Sequence, residues 1–362
     1  MTTEKHKVTS KQMVLLTFLA QTGVSMLTLP TVIARAIGHD GWITIILAGI
    51  LSVILGALIV HLLNRYRDKS IYEINTLLYG KIIGYFLNII LIIYLLLAAA
   101  NSVRAFSVFL EITIMPRTPI YVIAPFVMLP SIYMVGCGLK YVVRFKYVSC
   151  VSYMISFLYL LLLLKDYRIS FLMPIGEAGM LEILKSVKKG FFAFLGLELV
   201  AFLYPEVTDK QNLMKWHVFA IILSTLFSLL IVVTATSLFG ANFLKVQTLP
   251  LFNMARVYKA PVFERLDLYL ITVWFVVMGC SMRAYMIAAY YSLGKVFKIK
   301  DNKSMVLLFF LLLILLSRIP KDFNQVFLFR EIISQIGIGV YIFLVLCLCI
   351  SYFKTKGVKK ND

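Results

Sequence analysis

Polar and turn-forming residues divide the chain into ten apolar runs, at approximately 12–37, 41–63, 82–110, 119–136, 146–165, 190–206, 216–240, 267–294, 304–318 and 328–353. Each comes close to the roughly 20 residues with which an α-helix crosses the hydrocarbon core of a bilayer. The ninth has the shortest uninterrupted core, "MVLLFFLLLILL", and would borrow its flanks. No polar insertion between the runs is long enough to suggest a soluble domain. The pattern predicts an all-α polytopic membrane protein, with ten transmembrane helices in a single transmembrane domain over residues 1–362.

Two runs carry helix breakers where continuity matters most. The first contains "GVSMLTLP" at 23–30. In lipid an interrupted helix leaves backbone groups unpaired, which is tolerated only where the break packs in protein or lines a polar cavity. Pro30 alone would make a kink; Gly23, Ser25 and Thr28 in addition point to unwinding over a turn. The sixth run reads "GFFAFLGLELVAFLYPE", with Gly196, Glu198 and Pro205 inside it. Gly23 and Gly196 are 173 residues and five runs apart. Breaks in the first and sixth of ten runs are what two five-helix repeats would show, about 12–165 and 190–353, the odd number forcing opposite topology. Paired discontinuous helices point to a binding site at the bilayer midplane. Two unrelated proline kinks are the plainer alternative.

Composition adds the class exclusions. With 61% hydrophobic and 15% charged residues, and a mean hydropathy of +0.92, a water-soluble globule could not cover its own apolar surface. The net charge of +19 is no nucleic-acid footprint, because its location is topological. Assigning Lys and Arg to alternate sides gives 20 on the side of both termini and 14 on the other, most of the latter in the longer loops that count little. Both termini are therefore expected in the cytoplasm, with the basic excess facing anionic membrane lipid or a cytosolic partner. The first run follows "MTTEKHKVTSKQ" without a small-residue cleavage pattern and would itself direct insertion. Five cysteines and four histidines are scattered without metal-ligand spacing, so neither metal nor cofactor is expected. No nucleophile–base pair or paired carboxylates occur at usable spacing, which argues against an enzyme.

Charge within the runs is the remaining chemistry. Arg104 lies in the third run, on one stripe with Asn101, Val108 and Glu111, and Arg283 lies in the eighth beside Gly279, Cys280 and Ser281. Such charges cost roughly 2.5–3.5 kcal/mol even on the lenient insertion scale, so they should face a partner or water. Glu198 is the natural partner for one arginine, either as a structural ion pair or in gating.

The strings "GVSMLTLP", "DGWIT", "FLGLELVAFLYPE", "FERLD" (263–267) and "NQV" (324–326) occur in order over nearly the whole chain. Together they resemble the germinant-receptor B-subunit family of spore germination proteins, within the amino acid–polyamine–organocation transporter superfamily. The resemblance implies a LeuT-like fold of 5+5 inverted repeats with broken first and sixth helices, in the inner membrane of a bacterial endospore. It also implies partnership with a larger A subunit and a C-subunit lipoprotein, and detection of a nutrient such as an amino acid or sugar. Two departures stand out. The family often reads Gly-x-Gly where this chain has Gly23-Val24-Ser25, and some members carry a carboxylate where this chain has Ser102.

On that reading the backbone N–H groups of Gly23, Val24, Ser25 and Met26 would receive a ligand carboxylate at a half-helix N-terminus. Carbonyls of Phe194, Leu195 and Gly196 would accept from an ammonium or hydroxyls. Ala98 and Asn101 would form one side wall, and Cys280 or Ser281 the other. The same fold would serve a secondary amino acid transporter, which is the alternative function.

Overall fold

The structure, a computed structural model, describes residues 6–67, 69–257, 266–299, 301–320 and 323–358. Phe263, Glu264 and Arg265 of the "FERLD" string, and several lysines of the two termini, lie outside the described residues. Among those described the chain is helical, with one isolated bridge pairing Val8 with Val207. Seven helical stretches among the described residues are long and apolar enough to cross a membrane: Leu29–Arg65, Lys81–Thr113, Ile120–Cys137, Leu139–Asp166, Lys210–Phe239, Asp267–Val296 and Leu328–Lys354. The protein is an all-helical integral membrane protein. The first and sixth runs are instead divided into shorter pieces, and the ninth forms the short apolar helix Lys303–Ser317.

The first run is three pieces. Helix α1 (Ser10–Gln21) starts on a capping box, in which Thr9 Oγ1 accepts from Gln12 N–H and Gln12 Oε1 accepts from Thr9 N–H. A 3-10 turn follows over Val24–Leu27, and α2 (Leu29–Ile37) begins with Pro30 in its first turn, where its missing N–H costs nothing. The interruption thus falls at 22–28, ahead of the proline.

Continuous helices come next: α3 (Gly41–Arg65), α5 (Lys81–Thr113), α6 (Ile120–Cys137) and α7 (Leu139–Leu162). Between α3 and α5 lies the short α4 (Ile71–Tyr79), capped by a Ser70–Glu73 box, which the apolar runs did not foresee. The linker after α7 is fastened to Asp40, whose carboxylate accepts from the N–H groups of Gly176 (2.7 Å) and Ala178 (3.1 Å).

The sixth run differs from its expected bounds. Its helix α8 spans Met180–Gly190, ten residues before the apolar run begins, and passes into a 3-10 turn at Phe191–Phe194. After an irregular stretch, one short helix, α9 (Leu199–Leu203), completes it. The apolar run marks the broken part of the segment because that part is buried in protein on all sides; the amphipathic α8 is not. The remaining elements are α10 (Leu213–Phe239), the short α11 (Ala241–Leu244) and α12 (Pro250–Val257), α13 (Leu266–Val296), α14 (Lys303–Ser317) and α15 (Phe323–Val358).

Packing places the broken segments centrally. Helix α1 packs on α10, α13 and α7, and α13 packs on α5 and α7. The ends of the first and sixth segments are joined by Val8 N–H to Glu206 O (3.0 Å) and Thr208 N–H to Val8 O (2.9 Å). Beside them the Ser10 N–H and hydroxyl each donate to the Asp209 carboxylate at 2.5 Å.

Candidate ligand-binding site

The two interruptions pack against each other. At the end of α1 the Thr22 N–H returns to Phe18 O (2.9 Å), and Ser25 Oγ donates to Gln21 O (2.5 Å), so a side chain covers a carbonyl that the helix leaves open. Gln21 Nε2 reaches across to Phe194 O (3.1 Å), tying the first break to the second. Gly196 has φ +113°, and a Cβ there would stand 2.8 Å from Ala20 Cβ. Gly23 is as confined: a Cβ would stand 2.1 Å from Ser281 Cβ. On the same side of α13, Ser281 Oγ donates to Ala20 O (3.1 Å). Three segments therefore approach at contact distance because glycine removes the side chains between them.

Beside this junction is a cavity of about 40 Å³, room for roughly three waters. Of the residues expected at a site, Val24, Ser25, Ala98, Asn101, Leu195 and Ser281 line it together. Gly23, Met26, Phe194, Gly196 and Cys280 are not in its lining. Met26 is fully buried with Ser228 against its sulfur, and Cys280 faces Ser149 and Arg283. The Phe194 carbonyl, expected to be open to a ligand, is occupied by Gln21 Nε2 and by the Tyr341 hydroxyl at 3.2 Å.

Sequence reasoning did not place Ala20, Ser102, Phe192, Tyr285, Arg330 and Ile333 at the site, and these complete the wall. Arg330 belongs to α15, its guanidinium 3.7 Å from the Phe192 ring centroid and its Nη2 donating to Thr28 Oγ1 at 2.6 Å. It stands three residues inside the tenth run, where a charge reads as the end of a span. The usable signal was the stripe Arg330, Ser334, Gly337 and Tyr341, polar or small at helical spacing.

Glu198 is corrected most clearly. The expected arginine partner is replaced by tyrosines: Tyr94 Oη donates to Oε1 (2.7 Å), Tyr285 Oη lies 3.5 Å from the same oxygen, and Tyr341 Oη donates to Oε2 (2.8 Å). The Gly196 N–H supplies a further bond to Oε2 (2.8 Å). Four donors meet the four lone-pair sites of one carboxylate, which knits α5, α13 and α15 to the second break. Arg283 instead lies over Phe145 at 4.5 Å, with Ser131 Oγ (3.3 Å) and Cys280 Sγ (3.1 Å) as partners. Arg104 lines a separate cavity with Tyr121, Ser317 and Arg318. Neither arginine reaches Glu198, because α5 and α13 turn tyrosines rather than arginines towards it.

Fold and site together define an all-helical integral membrane protein with two interrupted segments that meet beside a small cavity of mixed polar and apolar lining. The family described as spore germination protein matches residues 7–326, and the chain belongs to it. It is 26% identical over 358 residues to spore germination protein YndE of Bacillus subtilis (strain 168), covering 98% of each chain. It is 25% identical over 338 residues to spore germination protein B2 of the same strain, covering 91% of each. Spore germination protein GerQB of Bacillus cereus is 25% identical over 357 residues, covering 97% of this chain and 98% of that one.

Proposed function

We propose that this chain is the nutrient-sensing membrane subunit of a spore germination receptor and binds a small molecule, such as an amino acid, between the interruptions of its first and sixth segments. The observation that carries the reading is the shared cavity: Val24 and Ser25 from the first break, Leu195 from the second, Ala98 and Asn101 from α5 and Ser281 from α13. Family membership supports the setting in germination. On this reading the first, sixth and ninth segments complete ten crossings in two inverted repeats over one domain, with both termini cytoplasmic in the spore inner membrane. The partners are an A subunit and a C-subunit lipoprotein, and no catalytic step is involved.

The mechanism follows from size. A cavity with room for about three waters must widen for a ligand of amino-acid size, so binding favours an arrangement in which the two breaks, α5 and α13 are moved apart. Ligand differential affinity of about 5.5 kcal/mol between the two arrangements would carry the population from mostly resting to mostly signalling.

Dipicolinate release from spores lacking this gene, challenged with single amino acids, sugars and nucleosides, tests the reading. Loss of response to one nutrient with the others intact is the expected result. Unchanged release, together with uptake of a solute by proteoliposomes of the purified chain, would replace the sensor by the transporter.

A further inference from the structure

Two buried cations lie close together outside the central cavity. Lys146 of α7 is fully buried, and its Nζ has no hydrogen-bond partner. Arg283 of α13 is buried as well, and its Nε is without a partner. Its Nη1 stands 3.3 Å from Ser131 Oγ of α6, its Nη2 3.1 Å from Cys280 Sγ, and its guanidinium 4.5 Å from the Phe145 ring centroid. One contact joins the two positions: Ser149 Oγ, a turn after Lys146, lies 2.7 Å from Cys280 Sγ, a turn before Arg283. The two cations are near enough for their charges to act on each other. Among the described residues, neither has an Asp or Glu within ion-pair distance. Two like charges in a low-dielectric interior repel, and each has lost a hydration shell that its protein contacts do not replace.

We propose that Lys146 and Arg283, with the hydroxyls of Ser131 and Ser149, hold a single anion of halide size, such as chloride, at the junction of α6, α7 and α13. The donors are in place: an ammonium has three N–H groups, none of them used here, and Arg283 has its Nε–H to give. Both are charged donors, whose bonds to an anion are roughly twice as strong as those between neutral groups. Ser131, Ser149 and Cys280 are buried as fully as the two cations, which favours a monatomic ion over a polyatomic one. The ion bears on the first break, because α7 and α13 both support it. Tyr153, a turn beyond Ser149, donates to Thr22 O (2.9 Å), and Ser281, next to Cys280, donates to Ala20 O (3.1 Å). By replacing a repulsion with two charge-assisted contacts, the anion draws α7 and α13 together around the end of α1. The inference is independent of what the central cavity binds.

The test uses the purified full chain in nanodiscs of zwitterionic lipid, prepared in sodium gluconate. Its readouts are thermal unfolding during titration and equilibrium binding of radioactive chloride. Chloride and bromide are expected to raise the unfolding temperature saturably, with about one ion bound per chain, while gluconate and sulfate at the same ionic strength leave it unchanged. Lys146→Met is expected to lose both the binding and the halide dependence, and in gluconate to unfold above the native chain because no amine is left unpaired. Arg283→Gln is expected to weaken chloride about tenfold or more, and Arg283→Lys to recover part of the loss. Cys280→Ser is expected to keep the halide effect; its loss there, with lower stability in every buffer, would make a Cys280 thiolate the counter-charge and overturn the proposal. No saturable binding by the native chain, an equal effect of gluconate, or chloride binding retained by Lys146→Met would overturn it too. If the variants fail to fold, anomalous scattering from bromide in crystals of the native chain decides: a peak between Lys146 and Arg283 is expected, and none there refutes the site.

Discussion

Gly23 and Gly196 are the positions where one added methyl group has no space. Gly196→Ala would combine a left-handed backbone with contact against Ala20, and a clear fall in unfolding temperature is expected. Gly23→Leu would drive into Ser281, and loss of ligand response in a chain that still inserts is the expected outcome, read by dipicolinate release beside membrane-protein abundance. At Glu198 the donors decide: Tyr341→Phe should cost about 1–3 kcal/mol in unfolding free energy, and Glu198→Gln more, because its amide N–H₂ turns donors against donors. The glycines and Glu198 were legible as breakers or charge in apolar runs. Tyr94, Tyr285 and Tyr341 were not, because a tyrosine within such a run carries no formal charge and reads as packing or as an interfacial anchor. Complementary charge pointed to arginine; the fold supplied hydroxyls.

Among the helices, α7 holds a side chain that the central cavity does not use. Lys146 is fully buried and its Nζ has no hydrogen-bond partner. An unpaired buried amine is costly, and methionine fills a similar volume without a polar atom. Lys146→Met is therefore expected to raise the unfolding temperature of the chain purified without halide. Segment boundaries separate what was readable from what was not. The interior runs 2 to 4 coincide with helices because uniform apolar sequence and lipid-depth burial demand the same length, whereas the fifth helix, α7, begins at Leu139, seven residues before its run, where Lys140, Arg144 and Lys146 hid it from hydropathy. α4, α11 and α12 are too short to register as runs, and α8 is amphipathic, so hydropathy passed over all four. Arg330 was missed for a related reason: α15 begins at Phe323, five residues before its apolar run, which puts an apparent end-of-span charge about two turns inside the helix.

At the scale of the whole molecule, the two interruptions were visible in the sequence, whereas the closure at the ends of their segments was not. Val8, Ser10, Val207 and Asp209 form a small clamp between the beginning of the first segment and the end of the sixth. Partial burial works against the charge on Asp209, but the Ser10 hydroxyl and N–H outweigh it and hold the carboxyl below its ordinary value of 3.8. Because the folded value is the lower one, the clamp's contribution is complete above 3.8 and is lost as pH falls through the folded value. Unfolding temperature followed from neutral to strongly acidic pH should show this loss in the native chain, with a smaller loss in Asp209→Asn and Ser10→Ala.

That clamp also dictates a timetable. Ser10 and Asp209 are 199 residues apart, so the first segment enters the bilayer long before the ribosome has made its counterpart. During that interval its broken middle lacks the Phe194 carbonyl, the Gly196 backbone and the Ser281 side chain on which it later rests. A nascent chain halted before the sixth segment should be a target for membrane quality control, and maturation should become protease-resistant only after the eighth segment, α13, has been inserted.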